Sequence, residues 1–120
     1  MTILLVDDDA DFRRGLAENL RDDGCEVREY AGPSEVPPLA QLEHLDLLIV
    51  DYLMGGENGM AFARRFHAAH PHVPVLLITA YSTVQIEEEA VASGFISLLH
   101  KPVDYDKLQR VMQRLVPDSP

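Results

Sequence analysis

The 120-residue chain lacks several features that would place it in other classes of protein. Cys25 is its only cysteine, so an intramolecular disulfide is excluded and a reducing compartment is expected. No apolar run approaches the roughly 18 residues of a membrane span, and the N-terminus enters a predicted strand without the basic and apolar regions of a signal peptide. Lys and Arg number 10 against 20 acidic residues, and the resulting net charge of -10 disfavours direct nucleic-acid binding. We therefore expect a cytoplasmic domain that contacts neither nucleic acid nor membrane.

The pattern of apolar residues predicts a single α/β domain. Short apolar runs at residues 3–6, 47–50 and 73–78 are typical of strands buried on both faces, and residues 95–99 are predicted as the last strand. The alternating segment 25–30 indicates a half-exposed edge strand. Helices are predicted at residues 10–23, 34–44, 59–69, 83–93 and around 108–115. Five strands alternating with five helices indicate a doubly wound parallel sheet over residues 1–116, and residues 117–120 are expected to begin a linker or C-terminal tail.

Local signals refine the first two predicted helices. Asp9 or Asp11 is expected to cap the start of the first helix, and Gly24 is well placed to end it. Pro37 and Pro38 interrupt the second helix, which should therefore be short or begin late, because proline is tolerated only in the first turn of a helix.

Polar side chains follow four of the predicted strands at the point where each strand ends. They are Asp7 and Asp8 after the first strand, Asp51 after the third, Thr79 after the fourth and Lys101 after the fifth. Because the C-terminal ends of parallel strands meet at one edge of the sheet, these side chains are expected to share one crevice, where open α/β sheets bind ligands.

The chemistry of this group indicates a metal-assisted phosphoryl site. Three carboxylates in one crevice repel one another unless a cation lies between them, and an all-oxygen ligand set suits Mg²⁺ or Mn²⁺ better than zinc. Lys101 and Thr79 would add a positive charge and a hydroxyl donor around the oxygens of a phosphoryl group. An acid that attacks phosphorus within such a group describes aspartyl-phosphate chemistry.

These motifs resemble those of the receiver domain of bacterial two-component response regulators. They are ILLVDDD at residues 3–9, DYLM at 51–54, NGM at 58–60, TA at 79–80 and KP at 101–102. The likeness covers the whole chain, and all the motifs occur in order at the usual spacing. It implies a flavodoxin-like receiver fold with strand order 2-1-3-4-5.

The resemblance also implies a role for each residue that contacts the phosphoryl group. Asp51 would be the phosphoacceptor, taking the group from a phosphohistidine on a sensor histidine kinase or phosphotransfer protein. Lys101 would pair with the phosphoryl group, and Thr79 would move in to hydrogen-bond it. The domain would thus be a signalling switch that promotes its own phosphorylation and dephosphorylation, not an enzyme acting on other substrates.

A metal ion and an output surface follow from the same resemblance. Asp8, Asp51 and the backbone carbonyl of Leu53 would bind Mg²⁺, with Mn²⁺ as the alternative ion, and Asp7 would act through a water on the metal. The signal would pass to an output domain or a partner protein through the fourth helix, fifth strand and fifth helix. A homodimer is one form that this partnership could take.

Several positions depart from the family pattern, among them Phe95 and Ile96, which follow Gly94 where smaller or more polar residues are usual. Gly55 stands where a proline is common, so the loop after Met54 is expected to be more mobile. Leu98, three residues before Lys101, occupies the place of a switching Tyr or Phe. Tyr81 puts a large ring beside the mouth of the pocket. The predicted switch residues are therefore Thr79, Leu98 and Tyr81.

Two alternative functions compete with the phosphorylated switch. A haloacid-dehalogenase-type phosphatase also uses an aspartyl nucleophile on an α/β fold, but it would need a second acid two residues after Asp51, and that position is Leu53. The chain also lacks the cap insertion of that family. A degenerate receiver acting as a phosphorylation-independent interaction module stays open because of Leu98, although the complete set of acids with Thr79 and Lys101 speaks against it.

Overall fold

A five-stranded parallel sheet forms the centre of the computed structural model, which describes residues 1–81 and 83–117. In chain order the strands are β1 (Thr2–Val6), β2 (Glu26–Tyr30), β3 (Leu47–Asp51), the two-residue strands β4 (Leu53–Met54) and β5 (Glu57–Asn58), β6 (Val75–Thr79) and β7 (Ile96–His100). The main sheet has the order β2-β1-β3-β6-β7. This confirms the predicted order 2-1-3-4-5, since β4 and β5 form a separate hairpin.

Within residues 1–81 and 83–117, four α-helices cover the two faces of the sheet. They are α1 (Ala10–Asp22), α2 (Gly59–Ala69), α3 (Val84–Ser93) and α4 (Tyr105–Leu115). Leucines of α1 and α4 join one hydrophobic cluster, whereas α2 and Ile86 of α3 join a second cluster on the opposite face. Across the ranges that the structure describes, none of the helices combines the length and the hydropathy that a bilayer crossing needs.

The prediction of an α-helix over residues 34–44 was wrong. Two short 3₁₀ turns, Pro33–Glu35 and Leu39–Gln41, occupy this segment. The residue before a proline is driven away from helical geometry, and Val36, which precedes Pro37, is extended at φ -73° and ψ 134°. Tertiary contacts hold the segment instead, since His70 Nε2 lies 2.7 Å from the carbonyl oxygen of Leu39. The fourth helix, fifth strand and fifth helix of the family pattern are therefore α3, β7 and α4.

Each of these α-helices has a side-chain cap at its N-terminus, near the C-terminal edge of the sheet. The Asp9 side chain accepts a hydrogen bond from the Phe12 N–H, so Asp9 is the residue that caps α1. Asn58, Thr83 and Asp104 cap the other three helices in the same way. Asp9, Thr83 and Asp104 follow the ends of β1, β6 and β7 by three or four residues, and Asn58 is the last residue of β5. The helix starts therefore lie near the place where the predicted site residues emerge.

The segment after β3 forms a hairpin that the sequence analysis did not predict. β4 and β5 pair antiparallel around Gly55 and Gly56, whose φ angles are +55° and +90°. A two-residue hairpin turn of this kind needs positive φ at both central residues, which glycine adopts without strain. The expected mobility of this loop stays a prediction.

Candidate functional site

Three carboxylates meet at the C-terminal edge of the sheet. Asp7, Asp8 and Asp51 each offer an oxygen atom, and these atoms lie within 4.8 Å of one another. The register of β1 on β3 pairs Val6 with Val50, so the residues that follow both strands emerge side by side. Asp7 is 1% exposed and Asp51 is 8% exposed, whereas Asp8 is open to solvent. The predicted acidic crevice is therefore present, with two buried acids and one accessible acid.

Lys101 brings a positive charge into this crevice. Its Nζ lies 2.9 Å from Oδ2 of Asp7 and 3.7 Å from Oδ2 of Asp51, and its side chain is 16% exposed. The ring of Phe12, on α1, lies 4.3 Å below the ammonium group. Burial disfavours the charged amine, but the hydrogen bond and charge of Asp7, followed by the charges of Asp51 and Asp9, raise the pKa of Lys101 overall. Lys101 is thus held as a cation.

The single positive charge of Lys101 does not neutralise the three carboxylates of the crevice, and the pKa of Asp51 reflects the remaining repulsion. Burial, then the charge of Asp7 and more weakly that of Asp8, raises the pKa of Asp51 from 3.8 to about 6. Lys101 and the hydrogen bond that Tyr52 N–H donates to Asp51 Oδ1, at 2.9 Å, oppose this rise. In this environment the carboxylate is stabilised when it binds a proton or when a cation lies next to it.

The donor set fits a hard divalent cation. Carboxylate oxygens are the preferred ligands of Mg²⁺ and Ca²⁺, and the accessible carboxylate of Asp8 lies beside the two buried ones. Leu53 begins β4, two residues after Asp51, and its side chain is 42% exposed. The role of its backbone carbonyl as a ligand stays a prediction.

Thr79 ends β6 and is fully buried. Its Oγ1 accepts a hydrogen bond from the Tyr81 N–H at 2.8 Å, and its backbone oxygen accepts one from the Lys101 N–H at 2.8 Å. The first bond occupies a lone pair of the hydroxyl oxygen and leaves the O–H proton available to donate elsewhere. Thr79 is therefore connected by its backbone to Lys101 and by its side chain to the chain that leads into α3.

The other two predicted switch residues lie in different surroundings. Tyr81 is 52% exposed. Leu98 is half-buried on β7, paired in register with Leu77, and packs against the cluster that contains Ile86 of α3. Tyr81 thus exposes its ring to solvent two residues after Thr79, whereas Leu98 is already in contact with the core.

Gly59 belongs to the NGM motif, but its structural role beside Asp51 was not predicted from the sequence. A Cβ atom at this position would overlap the backbone carbonyl of Asp51. The Gly59 N–H donates to the Tyr52 carbonyl at 2.6 Å, which holds the start of α2 directly against the end of β3. No local signal reveals this requirement, because the glycine lies in ordinary helical geometry and only the approach of another segment excludes a side chain.

Comparison with known proteins identifies the family. The model of the response regulator receiver domain matches residues 3–113. The chain belongs to this family. The transcriptional regulatory protein ZraR of Salmonella typhimurium is 35% identical over an alignment of 115 residues, which covers 93% of this chain and 25% of that protein. The receiver domain thus spans about a quarter of this relative.

Solved structures agree with this assignment. A response regulator from Burkholderia pseudomallei, crystallised with a phosphorylated aspartic acid, calcium ion and citrate, is 25% identical and superposes with a TM-score of 0.85 over 98% of this chain and 69% of its own. The chemotaxis protein CheY4 of Vibrio cholerae is 28% identical, with a TM-score of 0.84 over 95% of this chain and 97% of its own. The predicted flavodoxin-like receiver fold is confirmed.

Proposed function

We propose that this receiver domain is a phosphorylatable switch of a two-component system and that Asp51 is its phosphoacceptor. The observation that carries the proposal is the position of Asp51. Its buried carboxylate lies beside two further acids and 3.7 Å from the ammonium group of Lys101. A relative with a phosphorylated aspartic acid and a calcium ion supports the same chemistry.

The reaction needs a carboxylate that is ionised but poorly stabilised. An Asp51 pKa of about 6 leaves the side chain largely ionised near pH 7. One of its oxygens forms the new O–P bond, while the N–P bond of a phosphohistidine breaks and its electron pair returns to the imidazole. Oδ1 already accepts the Tyr52 N–H, so the carboxylate is oriented before the donor arrives.

The surrounding residues have separate roles in this step. A divalent cation, Mg²⁺ in the proposal, would be held by Asp8, Asp51 and the Leu53 carbonyl, with Asp7 acting through a water on the metal, and it would neutralise the charge of the phosphoryl oxygens. Lys101 is close enough to leave Asp7 and pair with a phosphoryl oxygen on Asp51. Both contributions would stabilise the negative charge on the phosphoryl oxygens during the transfer.

Thr79 provides the connection from the phosphoryl group to the rest of the domain. Its O–H proton can donate to a phosphoryl oxygen, but turning the hydroxyl toward Asp51 disturbs its present bond with the Tyr81 N–H. The segment that leads into α3 then loses one of its contacts. This exchange of one hydrogen bond for another is the proposed origin of the conformational change.

The proposed partners are a sensor histidine kinase or phosphotransfer protein on the input side and an output domain or protein on the other. The α3-β7-α4 surface is suited to the output contact because α3 exposes Val84 and Val91, at 68% and 81%. α4 presents the basic residues Lys107, Arg110 and Arg114, whereas α3 bears Glu87 and its two acidic neighbours. Opposite charges on one surface would also suit a homodimer, and the proposed location is the cytoplasm.

Acetyl phosphate provides the test. With Mg²⁺ present, intact mass measurement should detect one added phosphoryl group on wild type and none on Asp51→Asn, while the exposed Asp11→Asn control should react like wild type. A wild-type chain that stays unmodified is a degenerate interaction module, and steady phosphate release without a covalent product would indicate a phosphatase. A phosphoryl group on Asp51→Asn would refute the assignment of Asp51.

A further inference from the structure

An arginine outside the acidic crevice contacts the backbone of its most buried acid. Arg13 lies on α1, and its side chain is only 12% exposed. Its Nη1 donates to the carbonyl oxygen of Asp7 at 2.8 Å. That oxygen belongs to the peptide that joins Asp7 to Asp8, the two acids contributed by β1. Nothing in the proposed phosphoryl transfer uses this arginine.

The bond from Arg13 completes the restraint of Asp7. The Asp7 N–H donates to the Tyr30 carbonyl at 3.1 Å, and the Asp9 N–H donates to Asp7 Oδ1 at 2.9 Å. The Asp7 carbonyl, like the Asp7 carboxylate beside Lys101, is held by a charged donor, which makes a shorter and stronger hydrogen bond than a neutral one. The orientation of the Asp7–Asp8 peptide determines the position from which the accessible side chain of Asp8 extends.

The guanidinium group of Arg13 is itself held in place by β2. Its Nε lies 3.3 Å from Oε1 of Glu29, whose other oxygen accepts Nη1 of Arg21 at 2.8 Å. Arg21 also donates from Nη2 to the Val27 carbonyl at 2.7 Å. Glu29 is 20% exposed, so this ion pair is shielded from much of the solvent. The network therefore connects the first two strands of the sheet to the base of the acidic crevice.

We propose that Arg13 is a positioning residue of the acceptor site, which orients the Asp7–Asp8 peptide so that both carboxylates converge with Asp51. Glu29 supports it by fixing the guanidinium plane. The inference rests on the proposed function, since it concerns the same divalent cation. Outer groups that orient ligands commonly change metal affinity by 10- to 100-fold when they are removed.

Charge and geometry act in opposite directions at this residue, and the sign of the effect distinguishes them. Removing a positive charge near an acidic crevice should strengthen the binding of a divalent cation. Removing the hydrogen bond should free the Asp7–Asp8 peptide and weaken that binding. Arg14 is the neighbouring arginine on α1 and is exposed, so Arg14→Met removes the same charge while the bond to Asp7 remains.

The experiment measures Mn²⁺ binding to the full chain by electron paramagnetic resonance, with Mg²⁺ competition and with folding checked by circular dichroism. Arg13→Met is expected to weaken binding about 10-fold or more, whereas Arg14→Met should match wild type or bind slightly more tightly. In the metal-free protein, the Asp8 amide resonance should move in Arg13→Met and stay in place in Arg14→Met. A purely stabilising role for Arg13 would lower the melting temperature without changing the affinity of the folded protein.

If Arg13→Met does not fold, the same Mn²⁺ binding measurement uses the charge-conserving variants Arg13→Lys and Arg14→Lys. Lysine keeps the charge but cannot donate to Asp7 and Glu29 with the fork geometry of arginine, so Arg13→Lys alone should bind Mn²⁺ more weakly. Equal affinity in the two variants of either pair, or tighter binding by Arg13→Met, overturns the positioning role. Wild type that binds no divalent cation overturns the metal-dependent function instead.

Discussion

The two sides of the proposed acceptor site are built differently. On the side of β1, β3 and α1, all five residues of β3 are buried, and Asp7 is held through its N–H, carbonyl and carboxylate groups. On the side of α3 and β7, only Leu99 of β7 is fully buried. α3 buries Ile86 and Ala90 but exposes two valines. The first side, here called the chemical side, is fixed, whereas the second, the response side, is loosely attached.

This difference matches what each side has to do in a phosphorylated switch. Positioned acids require a rigid support, because small displacements separate the carboxylates from the reacting group. A segment that changes conformation needs the opposite, since the free energy from one phosphoryl contact can shift only a nearly balanced equilibrium. Four measurements test this contrast, and they follow from the largest expected effect to the smallest.

Gly59 tests the close packing of the chemical side. Gly59→Ala places a Cβ against the Asp51 carbonyl, where backbone must move to make room, and it should lower the free energy of unfolding by about 3 kcal/mol. Gly15, on α1, has open space around its Cβ position, so Gly15→Ala should instead raise stability by about 0.5–1 kcal/mol. Urea unfolding measures both. A mild effect at Gly59 would contradict the tight junction of β3 and α2.

Removing the charge of Asp51 tests whether burial and repulsion among the carboxylates destabilise the chemical side at neutral pH. The folded state holds the Asp51 proton with a pKa of about 6, against 3.8 in the ordinary carboxyl. Folding therefore favours the protonated form, and the free energy of unfolding falls as pH rises from about 4 through about 6. In chelator at pH 7, Asp51→Asn should be more stable than wild type by about 2 kcal/mol.

Chemical denaturation at pH 7 and pH 4 measures this difference, which should become much smaller at the lower pH because Asp51 is then protonated in the folded state and partly protonated in the unfolded state. A substitution that destabilises the domain at pH 7 would show that Asp51 supports the fold and that the crowding of the three carboxylates is not costly.

Divalent metal should relieve the same strain. If Mg²⁺ binds only the folded state, a concentration tenfold above its dissociation constant adds about 1.4 kcal/mol to the free energy of unfolding. Asp8→Asn should lose most of this increment, and the exposed control Asp11→Asn should retain it. Thermal melts with and without Mg²⁺ measure the effect, and equal increments in all three proteins would count against the acidic crevice as the metal site.

Leu98 tests the response side, where we expect the smallest effect. Leucine moves less area between solvent and core than a Tyr or Phe would, so beryllofluoride, which stands in for the phosphoryl group, should cause only small amide shifts on β7 and α4. Larger shifts should lie in residues 79–83 and α3. Leu98→Tyr should enlarge the shifts on β7 and α4, while Val91→Tyr, which adds a ring on the exposed face of α3, should not. Wild-type shifts as large as those of Leu98→Tyr would refute this idea.

The sequence predicted the main strands and the meeting of the polar residues because both follow from local patterns. Buried parallel strands are short apolar runs, and their C-terminal ends lie at one edge by topology alone. The second helix was predicted wrongly because helical spacing over residues 34–44 competes with two prolines, and the backbone preference of the prolines prevailed. The hairpin after Asp51 was missed because its strands have only two residues each.

The sequence by itself therefore indicated the grouping of Asp7, Asp8 and Asp51 at one edge, and its motifs indicated the family and, through the resemblance to that family, the order of the strands. Only the tertiary structure decided which groups orient these acids. The contact of Gly59 with the Asp51 backbone, the ring of Phe12 beside Lys101 and the bond from Arg13 to the Asp7 carbonyl join different elements. Such contacts depend on the distance and angle at which a helix packs on the sheet, and these are set by the whole core rather than by the spacing of residues along the chain.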